Sequence, residues 1–187
     1  YAGSASGNKA VFAEKAKDLG YAIADKEYSM VYGGGSKGLM GVTADAALSK
    51  GAKVTGIITE QLDAIEVGHK GLTNLEIVSS MHERKARMAE LSDAIISLPG
   101  GVGTWEELFE ALAWNQLGFY SKPIILFNVG GYYSSLYQFS KDSVEEGFLP
   151  KSTFEELFIS EDLEEIFDFI SSFEKKDGKD WYKRLER

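Results

Sequence analysis

"DAIISLPGGVGTWEELFEALAWNQL", residues 93–117, runs from an apolar stretch through one proline and three glycines into an amphipathic segment that opens with two adjacent glutamates. An apolar run, a glycine corner and then helical periodicity read as strand, turn and helix. Glycine this dense is costly to order, so bare main chain at Gly100, Gly101 and Gly103 needs a purpose. A parallel strand feeding a helix supplies one. Ligands of open parallel sheets sit beyond the carboxyl ends of the strands, and the unpaired N–H groups of a helix start attract anions.

The same alternation extends along the chain. "YSMVY" (28–32), "AKVTGII" (52–58), "LEIVS" (75–79), "DAIISL" (93–98) and "KPIILFNV" (122–129) read as buried strands. Helical spacing occupies 8–26, 38–50, 81–91, 104–117 and 132–146. That order predicts an α/β fold: a Rossmann-like, doubly wound parallel sheet with helices on both faces. No repeat, linker or low-complexity tract interrupts it, so residues 1–187 read as a single nucleotide-binding domain with a peripheral C-terminal helical segment from about 160. Ser160 reads as that segment's N-cap, and Leu163, Ile166, Phe167 and Ile170 as its apolar stripe. The final "KKDGKDWYKRLER" reads as a polar, peripheral tail. Only Tyr1 and Ala2 precede the glycines of "GSASG" (3–7), so the strand expected there is very short or incomplete.

Composition narrows the function. Hydrophobic residues make up 44% and charged residues 26%, as in ordinary globular domains, and no stretch is apolar enough to span a membrane. The opening "YAGSASGNKA" lacks the basic-then-apolar pattern of a signal peptide, and cysteine is absent, which excludes disulfides and thiolate metal sites and suits the cytoplasm. With 29 acids against 20 bases the net charge is −9, which argues against a nucleic-acid partner. A small anion remains accessible if local N–H groups and a few placed cations receive it.

Three glycine-rich turns fall at strand ends: "GSASG" (3–7), "YGGGSKGLMG" (32–41) and "PGGVGT" (99–104). Together they predict one donor-rich rim suited to phosphate. The dinucleotide pattern is not met, because Gly33, Gly35 and Gly38 follow the second strand-like run and no acid ends the next strand; Glu60 lies beyond it. A Walker loop fails for want of Gly-Lys-Ser/Thr. Thr104 sits at the expected start of its helix, where its hydroxyl caps the helix or meets a phosphate oxygen. Glu106 and Glu107 fall in the first turn, where acids complement the helix dipole. Helical geometry puts Trp105, Leu108, Phe109 and Leu112 toward the sheet, and Glu107, Glu110, Ala111 and Trp114 opposite, against a second packing partner such as another subunit.

"SSMHERKARM" (79–88) sets Met81, Arg84, Lys85 and Met88 on one helical face. Such a cationic pair either snorkels its heads into solvent or aims them at an anion. His82 is a candidate for acid–base chemistry or a structural hydrogen bond, and His69, in the polar stretch "EVGHKGL", receives no role. No spacing of ligands suggests a metal.

"GSASG", "YGGGSKGLMGVTADAAL", "MHERKARM" and "LPGGVGTWEELFEALAWNQLG" resemble the LONELY GUY (LOG) family, the cytokinin riboside 5′-monophosphate phosphoribohydrolases often mislabelled lysine decarboxylases. The likeness runs from the first residues to about Phe148, with Ala2 where the family often has Cys. It implies a homodimer that cleaves a purine nucleoside 5′-monophosphate into free base and ribose 5-phosphate, with no cofactor. The family's essential arginine falls on Arg84 and its essential glutamate on Glu107. Gly100, Gly101, Gly103 and Thr104 match the phosphate loop. Met81, Lys85 and Glu106 match positions lining the nucleotide site, and Gly33, Gly34 and Gly35 belong to the same expected rim. The competing reading is a nucleotide or molybdenum-cofactor carrier without hydrolysis. The pairing of Arg84 with Glu107 favours an enzyme, since holding phosphate needs no acid.

Overall fold

The computed structural model describes residues 1–66 and 68–175. The chain falls into two compact units, one made of Tyr1–Ser92 with Leu98–Thr104, the other of Asp93–Ser97 with the residues from Trp105 onward. Most of the tail anticipated from the sequence, at 176–187, lies outside the described residues.

In the first unit, α1 (Ala10–Asp25) is followed by β1 (Met30–Tyr32), α2 (Gly38–Ser49), β2 (Val54–Thr59), α3 (Glu60–Glu66), β3 (Asn74–Val78) and α4 (Met81–Leu91). The strands pair in parallel in the order β1-β2-β3, with Met30 opposite Val54 and Gly56 opposite Leu75. Alternation along the strands divides the core. Tyr32 and Val54 pack with Met40, Ala44 and Ala47 of α2, whereas Ile57 and Val78 pack with Met88 of α4 and with Val31. This sheet therefore carries helices on both faces, as the sequence order requires. Tyr1 O accepts from Leu98 N at 2.9 Å, and Gly3 N donates to Pro99 O at 3.1 Å.

The second unit holds β4 (Ile95–Ser97), the body of α5 (Val102–Leu117), β5 (Ile124–Phe127), α6 (Ser134–Glu145), α7 (Lys151–Phe154), β6 (Leu157–Ser160) and α8 (Leu163–Ser172). Its strands are again parallel, ordered β4-β5-β6. All four residues of β5 are buried, so the central strand is a continuous apolar run without alternation. Ladder pairing thus gives two three-stranded sheets, where the sequence order suggested one sheet.

Helices α3 and α7 and strand β6 were not anticipated. Each is seven residues or shorter, too short for periodicity to declare itself. The C-terminal helix also starts later than expected. Ser160 ends β6, and Asp162 is the N-cap, its carboxylate accepting from Glu164 N at 2.8 Å. Ser160 instead accepts from Asp162 N and donates to the Glu165 carboxylate. Of the expected stripe, Ile166 and Phe167 are buried, and Leu163 and Ile170 are half-buried.

Helices α1 and α2 cross at Gly20, where an added Cβ would collide with Thr43 O and press on Ala46 Cβ. Alanine in place of glycine within a helix ordinarily stabilises by about 1 kcal/mol. Here the sign reverses. Gly20→Ala lowers stability by about 1–3 kcal/mol, the range of overpacked cores, read from the urea midpoint at unchanged m-value.

Candidate functional site

The three glycine turns meet within the first unit. Gly3 bonds to Pro99 and accepts from Leu39 N at 3.0 Å, which ties "GSASG" to both other turns. Gly38, at φ +63°, has no room for a Cβ, which would collide with Ser4 and the Ala5 nitrogen. A Cβ on Gly100 would strike the Thr104 side chain and stand 2.9 Å from Gly3 N. These glycines allow main chain to pack on main chain.

Gly101 and Gly103 are different. A Cβ at either meets nothing within 4 Å, and neither lies in the left-handed region. The fold does not demand glycine there. Bare, exposed backbone at these two positions leaves room for an outside group to approach the start of α5, where helix N–H groups lack intrahelical acceptors.

Arg84 stands on α4, whose start is a reciprocal cap. Ser80 Oγ accepts from Glu83 N at 3.2 Å, and the Glu83 carboxylate accepts from Ser79 N at 2.9 Å and Ser79 Oγ at 2.8 Å. Those bonds hold the Glu83 carboxyl below its ordinary range. From the next residue the Arg84 side chain runs inward, only 6% exposed. Its Nε donates to Ile57 O of β2 at 2.9 Å, its Nη2 to Gly33 O at 3.0 Å, and its Nη1 lies 4.0 Å from the Met81 sulfur. A Cβ on Gly33 would collide with Nη2, and Gly34 turns the chain at φ +75°. The glycines after β1 are therefore the seat of the guanidinium.

Lys85 is buried beside Arg84, so neither cation snorkels, contrary to that alternative from the sequence. Met88 joins the core with Ile57 and Val78, whereas Met81 is exposed and so is His82. The structure brings Gly33, Gly34 and Gly35, at the carboxyl end of β1, together with Arg84, and Gly100 with Thr104 beside Gly3.

Helix α5 corrects several expectations. It begins at Val102, so Thr104 is not its N-cap but a buried residue within the first turn. Glu106 and Glu107 then lie beyond that turn, and dipole complementarity no longer accounts for them. The buried line is Thr104, Leu108, Ala111, Leu112 and Asn115, whereas Trp105 and Phe109 are exposed. A small Ala and a polar Asn hid this face. Asn115 is inside because its amide donates to Lys122 O at 2.7 Å and to Glu156 at 3.1 Å. Glu107 is half-buried, and Glu106 is exposed. Trp114 does find a packing partner, within its own chain: the rings of Phe119 and Tyr120 at 6.1 and 5.9 Å.

His69 was passed over in the sequence, yet it is buried and bonded to Asp45 of α2 and to the backbone of Gly34. A lone histidine between lysine and glycine carries no local signal for this. Among the described residues, no group of three or more His, Asp or Glu is placed to hold a metal ion, and no helix is long and apolar enough to cross a membrane.

Parallel strands with helices between them, and glycine turns at their ends, define a Rossmann-like α/β protein. Residues 40–170 match the family described as possible lysine decarboxylase. A cytokinin riboside 5′-monophosphate phosphoribohydrolase of Rhodococcoides fascians is 44% identical over 165 residues, covering 88% of this chain and 83% of that one. The LOG1 phosphoribohydrolase of Arabidopsis thaliana is 45% identical over 149 residues, covering 80% of this chain and 70% of that one. Among solved structures, a molybdenum cofactor binding protein from Rippkaea orientalis superposes with a TM-score of 0.64 at 20% identity, covering 91% of this chain and 93% of that one. That last likeness concerns the fold alone. The chain belongs to the LOG family of phosphoribohydrolases, as its motifs suggested.

The open space at Gly103 can be tested without any assumption about chemistry. Gly103→Ala leaves the urea midpoint unchanged or raises stability by up to about 1 kcal/mol.

Proposed function

We propose that the protein hydrolyses the N-glycosidic bond of a purine nucleoside 5′-monophosphate, of the adenosine or cytokinin type, to free base and ribose 5-phosphate. The observation that carries this reading is the 44% identity, over 88% of the chain, to a relative named for that activity. The seating of Arg84 on Gly33 and Ile57 supports it, because a family-matched arginine is here fixed by the fold. The carrier reading rests on fold likeness alone and has no comparable support.

Cleavage places positive charge on the ribose ring as the C1′–N bond lengthens. A carboxylate stabilises that charge and steers a water to C1′, the role we assign to Glu107. The water oxygen bonds to C1′, the bond electrons leave with the base, and a proton passes to the departing nitrogen. Arg84 orients the nucleotide and favours departure of the base. The backbone of Gly100, Gly101 and Gly103 with Thr104 holds the phosphate, so binding remote from the reacting bond positions the sugar. By the same resemblance Lys85, Met81, Glu106, Gly33, Gly34 and Gly35 are assigned to substrate binding. Neither metal nor cofactor enters the scheme, and the setting is cytoplasmic.

Incubation with AMP and with N6-substituted riboside monophosphates, followed by chromatography for free base, tests the assignment. The monophosphates are cleaved and the parent nucleosides are not. Arg84→Ala and Glu107→Ala keep the far-UV spectrum of the wild type and lose at least about 10²-fold in kcat. Folded variants with full turnover reject the assignment.

The resemblance implies a homodimer, and the exposed line Val102, Trp105 and Phe109 on α5 offers an apolar stripe for a second copy. Phe109→Glu shifts the species seen by light scattering from dimer to monomer at micromolar protein.

A further inference from the structure

The glycine turn that seats Arg84 has no side chains of its own to hold it. Gly34 is in the left-handed region, and Gly33, Gly34 and Gly35 are all buried. What braces the turn is a second glycine-bearing segment. Gly35 pairs with Gly68 in an antiparallel bridge, and Gly34 O accepts from His69 N at 3.0 Å. That brace is tied down by side chains from two helices. The Asp63 carboxylate of α3 accepts from Gly68 N at 2.8 Å. The His69 ring lies 2.9 Å through Nε2 from Asp45 Oδ1 of α2.

The ring's other nitrogen fixes its tautomer. Nδ1 accepts from Gly71 N at 3.1 Å, so the proton sits on Nε2 and is donated to Asp45. One neutral imidazole thus clamps its own loop on one side and α2 on the other. The ring is 10% exposed, whereas the Asp45 carboxylate is 70% exposed.

We infer that His69 and Asp45 are positioning residues for the site, holding the Gly33–Gly35 turn and through it the guanidinium of Arg84. The path is short and continuous. Asp45 orients His69, the His69 amide fixes the Gly34 carbonyl, and the adjacent Gly33 carbonyl receives Nη2 of Arg84. Asp63 secures the other end of the brace, so loss of the imidazole loosens the turn without releasing it. The inference rests on the proposed function only for the consequence in turnover; the placement of Arg84 is a property of the fold.

Hydrogen exchange at the Arg84 Nε–H, followed by 15N NMR, reads that placement directly, since this group donates to Ile57 O. His69→Ala and Asp45→Ala accelerate exchange at this group about tenfold, while the Ile125 amide of β5 keeps its protection. His69→Gln, whose amide reaches Asp45 in place of Nε2, restores slow exchange. Asp45→Ala alters an exposed side chain and leaves the fold intact, so the test survives if His69→Ala fails to fold. Unchanged Arg84 exchange in Asp45→Ala overturns the inference, and so does an acceleration that Ile125 shares equally. Turnover of AMP measured alongside falls with the exchange protection. A wild type that cleaves no monophosphate removes the functional reading, and the exchange data still decide whether the clamp holds Arg84.

Discussion

Main chain pressed against main chain is the constraint on which the first unit depends. Gly3 lies against Gly100, Gly38 against Ser4, and Gly33 beneath the Arg84 guanidinium. Any side chain at these points would force the turns apart and move the strand ends they finish. Close approach is also what would let a chain of net charge −9 receive the anion proposed for it. Helix-start N–H groups and a guanidinium anchored on carbonyls act over a few ångströms, whereas the surface acids are screened over about 10 Å at moderate salt.

Arg84 shows how a cation can be built into a core. A buried guanidinium is costly unless its donors are used. Two of them are used here on main-chain carbonyls, Ile57 O of a strand and Gly33 O of a turn. Backbone acceptors do not titrate and cannot rotate away, so the head group is preorganised before any ligand arrives. Lys85, next in the chain, is buried as well.

Much of this was legible in the residues. Strand, turn and helix alternate with strong periodicity, and each long element lies within a few residues of its sequence reading. The glycine turns were recognisable as a set because composition and position coincide at three strand ends. What escaped has physical reasons. Asp162 rather than Ser160 caps α8 because an unanticipated four-residue strand consumes Ser160. The inward face of α5 was misjudged because Trp105 and Phe109 outweigh Ala111 and Asn115 in hydrophobicity, although the small and hydrogen-bonded residues are those inside. His69 was invisible because its partners, Asp45 and Gly34, are distant in sequence and only the fold unites them.

The contrast among the loop glycines separates two kinds of position. At Gly3, Gly38 and Gly100 a substitution damages the architecture, and any assay of cellular protein level would register it. At Gly101 and Gly103 the surrounding space is open. A survey scored by abundance would rate changes there as harmless, so a penalty at either position in an assay of turnover would report on what the loop meets and not on folding.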